Sequence, residues 1–391
     1  MRGATGTSDS GGATIKEAAR PSVIVVTSSE GERYGVKYDA ELRNTVYDRT
    51  SSIMGESLGS AALPSIVSEA VWREALSGPG VFFEYAVPVK LSILDGWLGV
   101  HMPNTSEDIL LRRVFVAFGE DKSRVYYQDV ESGLFFGADT ASAAGKAQEL
   151  EIYKNNGAVF AYESGVRIAE NAPYMLLMPG ASHHPEIQVN AAIRAGDLLD
   201  MTLVALGHSN ETTTTYYDSG GVLVCVGTQF NIRVSLPGHV FYRRTDDIDA
   251  TEEALTLSEG ELIERARAVA VDTIGKACGS AEVFLKSVED DGEDSYSVVF
   301  GYYIAGGSVL LRDSSHAARV TLQAGTITNV ELNFREFSYT GEDLELLPEI
   351  QAFAAAGGEF QLCYSDSGQE TLQPAWVRIV ENGLLRSLRQ L

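Results

Sequence analysis

Cysteine is scarce in this chain of 391 residues, which contains only Cys225, Cys278 and Cys363. Three cysteines are too few and too widely spaced for a disulfide framework. No two of them have the short spacing of a metal-binding pair. Cys225 lies in an apolar run and Cys278 at the end of a predicted helix, so we expect buried free thiols.

Long hydrophobic runs are also missing. No stretch approaches the 18 consecutive apolar residues that suggest a transmembrane helix. The first 19 residues are rich in Gly, Ser, Thr and Ala, and they lack the apolar centre of a signal peptide. We expect residues 1–20 to form a flexible leader. Such a leader is compatible with a membrane anchor that is absent from this chain.

Positive charge is in short supply, with 30 Lys and Arg against 54 Asp and Glu, for a net charge of −24. A surface this acidic repels phosphate backbones and anionic headgroups, which disfavours nucleic-acid binding. Hydrophobic residues make up 45% of the chain, so a substantial core can form. The length predicts two or three domains.

Motifs for phosphate or zinc chemistry are absent from the sequence, and no lysine follows a serine by three residues. Residues 55–59, GESLG, match the spacing of a nucleophile elbow, but that motif needs a strand before the serine. Here a helical pattern precedes Ser57 and Gly59 ends it. We therefore place Ser57 in the last turn of a helix, and we predict no catalytic, cofactor-binding or metal-binding residues and no cofactor.

His183, His184 and Glu186 form the single histidine cluster, in a stretch rich in turn-forming residues. Zinc needs three or four converging ligands, so we interpret these residues as part of a surface loop. The acidic segments 289–294 and 246–253 lack the ligand spacing of a calcium loop, which favours solvated turns. Of the three tryptophans, Trp97 is the one that we suspect of lining a groove.

The N-terminal half alternates blocks of strands and helices, which predicts an α+β fold. A strand at 22–27 returns through a turn as 33–37, and Asp39 can cap a helix that ends at Gly59. A second helix is predicted with Pro64 in its first turn and an end at Gly78. Its apolar face would contain Ile66, Val67, Ala70, Val71 and Leu76. Further predicted elements are strands 81–87, 110–118, 124–128 and 134–137, helix 142–155, and strands 159–163 and 174–178.

The C-terminal half predicts a β-rich domain. A meander spans 213–243, and Ser258 and Glu261 form a capping box that opens a helix closed by Gly279. A loop at 179–185 and a helical segment at 191–206 mark the domain boundary. We predict a leader at 1–20, an α+β domain at 21–190 and a β-rich domain at 191–391. The remaining predicted elements are strands 296–304, 317–322 and 327–337, a helix from 347, and strand 372–377.

Several short segments, in their order along the chain, resemble the YycH/YycI family of regulatory proteins, in a divergent form seen in clostridial genomes. Together they cover roughly residues 20–380, and their order is a stronger signal than any one of them. They are 21–26 (PSVIVV), 34–39 (YGVKYD), 156–163 (NGAVFAYE), 172–177 (APYMLL), 317–320 (AARV), 333–337 (NFREF), 347–349 (LPE) and 373–377 (QPAWV).

The resemblance implies a non-enzymatic, extracytoplasmic protein, held at the membrane by one N-terminal helix. Its expected partner is a sensor histidine kinase of an essential cell-wall two-component system, or a related regulator. It also implies a C-terminal curved antiparallel sheet packed with helices, similar to PepSY modules. The expected anchor is absent from this chain, which departs from the family pattern.

Two other functions remain open on the sequence alone. A cell-wall hydrolase would use Ser57 or a site at His183 and His184, and it would need converging polar side chains in a pocket. An inhibitor or ligand-binding module of the PepSY type would need no catalytic residues.

Overall fold

The computed structural model describes residues 18–101, 109–119, 121–141, 143–167, 169–190, 194–209, 213–246, 257–292, 294–312, 314–379 and 386–387. Most of the predicted leader and of the acidic segment 246–253 lies outside these ranges, as does Glu293 of the acidic turn. The chain is an α+β protein with several antiparallel sheets and two compact units, Met1–Pro179 and Gly180–Leu391.

A seven-stranded antiparallel sheet forms the centre of the first unit, in the order β2-β1-β4-β5-β6-β7-β3. Two further short strands, β8 and β9, pair with each other. The strands are β1 Val23–Thr27, β2 Arg33–Val36, β3 Ser65–Val67, β4 Gly80–Lys90, β5 Leu110–Ala117, β6 Ser123–Asp129, β7 Phe135–Thr140, β8 Val159–Phe160 and β9 Leu176–Leu177. The helices are α1 Ala40–Gly59, α2 Glu69–Leu76, α3 Leu91–Leu98 and α4 Ala144–Leu150.

The two faces of this sheet are covered by different helices. Trp72 of α2 is fully buried against the rings of Tyr126, Phe135 and Tyr174 on one face. Helix α1 covers the other face, where Thr140 donates a hydrogen bond to its C-terminal turn. Because successive side chains of a strand alternate between faces, the sheet is apolar on both sides, and β1 is buried at every residue.

The predicted β1–β2 hairpin and the predicted cap of α1 are both confirmed. The carboxylate of Asp39 accepts a hydrogen bond from the amide of Leu42 at 2.9 Å, and the helix runs to Gly59. This bond satisfies one of the amides that a helix start leaves without a partner.

The predicted start of the second helix, with Pro64 in its first turn, is wrong. Residues Ser65–Val67 form the edge strand β3, with Ile66 opposite Phe136 of β7. The helix begins only at Glu69, where the side chain of Ser68 accepts a hydrogen bond from the amide of Val71. Two adjacent β-branched residues favour a strand here, and the capping serine sets the later helix start.

The helix predicted at 142–155 is shorter in the structure, at Ala144–Leu150. The chain then leaves the helix and runs along β2, where the side chain of Asn156 bonds both the amide and the carbonyl of Gly35. Helix α3 was not predicted, because its eight residues follow β4 directly without a turn.

Two sheets and three α-helices make up the described part of the second unit. The smaller sheet has the order β20-β10-β22, and the larger one has twelve strands. The strands are β10 Ser182–Asn190, β11 Thr214–Tyr217, β12 Leu223–Val226, β13 Phe230–Ser235, β14 His239–Arg244, β15 Glu282–Gly292, β16 Ser295–Ile304, β17 Gly307–Leu311, β18 Ala318–Gln323, β19 Thr326–Asn333, β20 Glu336–Leu346, β21 Phe360–Asp366, β22 Thr371–Leu372, β23 Pro374–Arg378 and β24 Arg386–Ser387. The helices are α5 Ala195–Ala205, α6 Glu259–Ala270 and α7 Glu349–Ala356.

The larger sheet branches at β16. One branch runs through β18, β19, β14, β13 and β12 to β11, and the other through β17, β21 and β23 to β24. Strand β15 pairs with the side of β16 opposite β17 and β18. The pairing is antiparallel except between β17 and β21, where the strands are parallel.

The sequence places the end of the N-terminal domain at 190, whereas the first unit ends at Pro179. Strand β10 accounts for the difference, because it pairs with β20 and β22 of the second unit. This pairing joins residues that are about 150 positions apart, and no local pattern in the sequence predicts it.

Candidate interaction surface

Ser57 lies in the last turn of α1, as predicted, and is buried with 3% of its surface exposed. Its carbonyl oxygen accepts a hydrogen bond from the hydroxyl of Thr140 at 2.9 Å. A nucleophile elbow presents its serine on an exposed turn after a strand. A buried serine on a helix lacks that geometry.

His183 and His184 lie in strand β10, so their prediction as loop residues is wrong. As adjacent residues of a strand they point to opposite faces, and His183 is exposed whereas His184 is buried. The ring of His184 packs edge-on against Trp376 at 5.3 Å, and the Trp376 indole donates a hydrogen bond to the carbonyl of Leu347. Across the described ranges, no group of three or more His, Cys, Asp and Glu side chains is arranged to hold a metal ion.

Trp97 is buried in α3 with 5% of its surface exposed, so it belongs to the core. All three cysteines are buried free thiols, as predicted. Burial raises the pKa of Cys278 to about 11 and that of Cys363 to about 12, which keeps both thiols protonated and unreactive near neutral pH.

A polar network connects the edge strand β15 to β18 and β19. His316 Nε2 lies 3.1 Å from a carboxylate oxygen of Glu331, and Arg319 pairs with Glu289 at 2.8 Å. Lys286 donates a hydrogen bond to the carbonyl of Ser315 at 2.5 Å. Every charged group here has a partner, so the network braces the sheet. Sequence reasoning missed it because its residues are spread over 286–331.

Ser315, His316 and Glu331 form a chain of polar side chains, with the Ser315 hydroxyl 3.3 Å from His316 Nδ1. A hydrolytic triad has the opposite arrangement, with the serine at Nε2 and the carboxylate at Nδ1. We therefore assign this chain to the bracing network.

The edge strands β15 and β11 of the large sheet differ in whether they are protected against pairing with another strand. Strand β15 carries Glu282, Lys286, Glu289, Asp290 and Asp291, and its pairing with β16 is irregular at two places. Charges and bulges of this kind keep an edge from pairing with another strand. Strand β11, Thr214–Tyr217, has no charged residue and is exposed at every position, and β12 is its one partner strand among the described residues.

Strands β11–β14 have one face toward helix α5 and one face toward solvent. Cys225, Ile232 and Tyr242 are buried on the helix side, and α5 packs against β12 and β13. The residues on the opposite side form two rows across the strands, set by the register. The rows are Tyr216–Val224–Arg233–Phe241 and Thr214–Val226–Asn231–Arg243.

We call the solvent-facing set Tyr216, Val226, Arg233, Phe241 and Arg243 the β11 face. Tyr216 is 51% exposed and Val226 is 38% exposed, which is unusual for large apolar side chains in a packed sheet. Arg233 and Arg243 are also exposed, and Phe241 is half-buried. An uncharged edge beside exposed aromatic and arginine side chains has the composition of a protein-contact surface.

One signal for the β11 face was present in the sequence. Residues 213–217 contain two tyrosines and no charge, and the turn-forming residues of 218–221 follow them. The exposure of this strand depends on its position at the end of the sheet, which the pattern does not show. None of the helices within the described residues is long and apolar enough to cross a bilayer.

No protein-family profile and no curated protein matches this sequence. Among solved structures, the chain is similar to the crystal structure of YycH from Bacillus subtilis, with a TM-score of 0.63 and 13% sequence identity. The match covers 95% of this chain and 96% of YycH, and it shows a YycH-like fold. An uncharacterized protein from Eubacterium rectale matches 54% of the chain with a TM-score of 0.34, which is too low to support an argument.

Proposed function

We propose that this chain is a non-enzymatic regulatory protein of the YycH type. It acts by protein contact on a sensor histidine kinase of a two-component system, or on a related regulator. The observation that carries this proposal is the YycH-like fold over 95% of the chain. The placement of Ser57 inside a helix and of His183 and His184 on opposite faces of a strand favours a contact function over a hydrolytic one.

The proposed location is the extracytoplasmic side of the membrane, where such a regulator meets the sensor region of the kinase. We further propose that the C-terminal domain is PepSY/YycI-like. Its antiparallel strands with α6 packed against β15, β16 and β18 support this assignment.

Deleting the gene in its native host tests the proposal. We expect the output of one two-component system to change, read by a transcriptional reporter for its response regulator. Re-expression of the wild-type chain should restore the output, and the chain should co-purify with the extracytoplasmic region of the kinase. If the outputs of all two-component systems of the host stay unchanged, the proposal is wrong.

A further inference from the structure

The β11 face carries two exposed arginines on a protein that is strongly acidic overall. The solvent side of β11–β14 carries Arg233, Arg243 and His239. Two carboxylates lie on this side, Asp218 in the turn after β11 and Glu331, which is opposite Phe241 in the neighbouring strand β19. Arg233 uses the Asp218 carboxylate in an ion pair of 2.9 Å. Within the described residues, Arg243 has no ion-pair partner. With a net charge of −24 for the chain, this face is a local exception.

The edge beside this charge can accept another strand. The four residues of β11 are exposed on both faces, and no strand among the described residues pairs with the side of β11 away from β12. An extended segment placed there would continue the sheet by main-chain hydrogen bonds, as in β-strand addition. Its side chains on the solvent side would lie next to Thr214 and Tyr216.

From these observations we infer that the β11 face binds an acidic, extended segment of a partner protein. The segment pairs with β11 through its backbone. Its carboxylates, on the chain that continues across the face, contact Arg243 and Arg233, and its apolar side chains pack on Tyr216 and Val226. Arg233 lies two strands and Arg243 three strands from β11, at a spacing of about 4.8 Å per strand, so only the chain that continues across the face can reach them.

A second copy of this chain is a poorer occupant. It would bring the same uncharged edge and the same arginines, because a two-fold interface places one surface against itself. It would also double a net charge of −24. Only a partner with carboxylates at this position gains contacts of opposite charge.

The inference rests on the proposed function, since it names the chemistry of the partner segment. It is tested with three fluorescent peptides in which valine alternates with glutamate, glutamine or lysine, each about 12 residues long so that the chain beyond the paired strand reaches Arg243. The net charge of the protein by itself favours the lysine peptide. We expect the glutamate peptide to bind most tightly and to slow hydrogen exchange at the amides of residues 214–217.

Arg243→Glu should weaken the glutamate peptide at least about tenfold, since it replaces an attraction by a repulsion. Arg378→Glu is the matched control: it makes the same change on an exposed arginine of β23 in the other branch of the sheet, and should change affinity less than about twofold. Tyr216→Thr, which keeps a residue suited to a strand, should also weaken binding.

Three outcomes would overturn the inference: tighter binding of the lysine peptide, equal effects of Arg243→Glu and Arg378→Glu, or exchange protection outside β11. Concentration-dependent dimerisation that Tyr216→Thr abolishes would assign the edge to a second copy and would also overturn it. In cells, a reporter that responds to gene deletion and not to Arg243→Glu would reject this inference and leave the proposed function intact. A reporter that responds to neither would reject the proposed function.

Discussion

Gly279 combines two requirements in one residue. Its φ of +64° lies in the left-handed region, and a Cβ there would come within 2.3 Å of the carbonyl oxygen of Phe337. Ser280 donates a backbone hydrogen bond to that same carbonyl. The sequence predicts the first requirement, because glycine commonly ends a helix. The contact with Phe337 comes from the tertiary structure.

We expect Gly279→Ala to lower the free energy of unfolding by about 2–4 kcal/mol, since it adds a backbone clash to the strain of a left-handed alanine. Gly357→Ala is the control, because Gly357 has a φ of +71° with nothing near its Cβ position. That change should cost only about 1 kcal/mol. Urea unfolding measures both, and equal losses would show that the contact with Phe337 is unimportant.

The buried His316 side chain is expected to make the free energy of unfolding depend on pH. Burial lowers its pKa below the usual 6.5, with further lowering by Arg319 and Lys286 and opposition from Glu331. A pKa that is lower in the folded state than in the unfolded state means that folding favours the neutral ring. The stability that the neutral His316 ring provides is therefore fully present above the pKa of the unfolded state. It is lost as the pH falls through about 6.5 toward the lower pKa of the folded state.

We expect the unfolding free energy of the wild type to fall between pH 7.5 and pH 5.5 more steeply than that of His316→Gln. One proton changes the slope by at most about 1.4 kcal/mol per pH unit. The pKa of His208 is lowered by burial as well, so His208→Gln serves as the comparison for the rest of the slope. Parallel curves for wild type and His316→Gln would contradict the role given to His316.

At the scale of single elements, local sequence signals are sufficient to predict helix α6. The Ser258 hydroxyl lies 3.4 Å from the amide of Glu261, and the Glu261 carboxylate accepts a hydrogen bond from the amide of Ser258 at 2.8 Å. The bond from the Ser258 amide, together with one that the Ser258 hydroxyl donates to the same carboxylate, holds the Glu261 pKa below its usual value. Leu262, Ile263 and Ala266 then bury one face of the helix. Capping and periodicity agree, so the sequence predicts this element correctly.

Ser258→Ala should destabilise the protein by about 1 kcal/mol through the loss of this cap. Ser258→Asp keeps an acceptor at the same position and should remain within about 0.5 kcal/mol of the wild type. Thermal unfolding followed by circular dichroism distinguishes the two variants. An equal loss for both would show that the hydroxyl does not act as a cap.

Strand β10 is the element for which local signals fail. It contains Pro185 and two histidines, which read as a loop, yet it is the central strand of a three-stranded sheet. Its register shifts between Pro185 and Ile187, so the proline lies at an irregularity where a missing amide costs less. The pairing with β20 overrides the weak strand propensity of this segment.

At the scale of the whole molecule, the boundary between the two units determines which fragments are complete. Residues 180–391 contain β10, whereas residues 191–391, the domain predicted from the sequence, lack it. Without β10, strands β20 and β22 lose the strand that joins them. Unpaired strands in a sheet expose backbone groups and promote aggregation.

We therefore expect the fragment 180–391 to unfold cooperatively on heating and the fragment 191–391 to be aggregated or to unfold at lower temperature. Size-exclusion chromatography and circular dichroism make this comparison. Equal behaviour of the two fragments would mean that β10 is dispensable and that the boundary predicted at 190 is adequate.

The sequence by itself determined the α+β class, the caps of α1 and α6, the burial of the cysteines and the resemblance to YycH/YycI. These features depend on neighbouring residues, or on the order of segments along the chain, so they can be read without three-dimensional information. The tertiary structure decided that Ile66 lies in a strand, that β10 pairs with β20, and that β11 ends the sheet with an uncharged edge. Each of these depends on contacts between distant residues, where the free energy of pairing and burial outweighs local propensity.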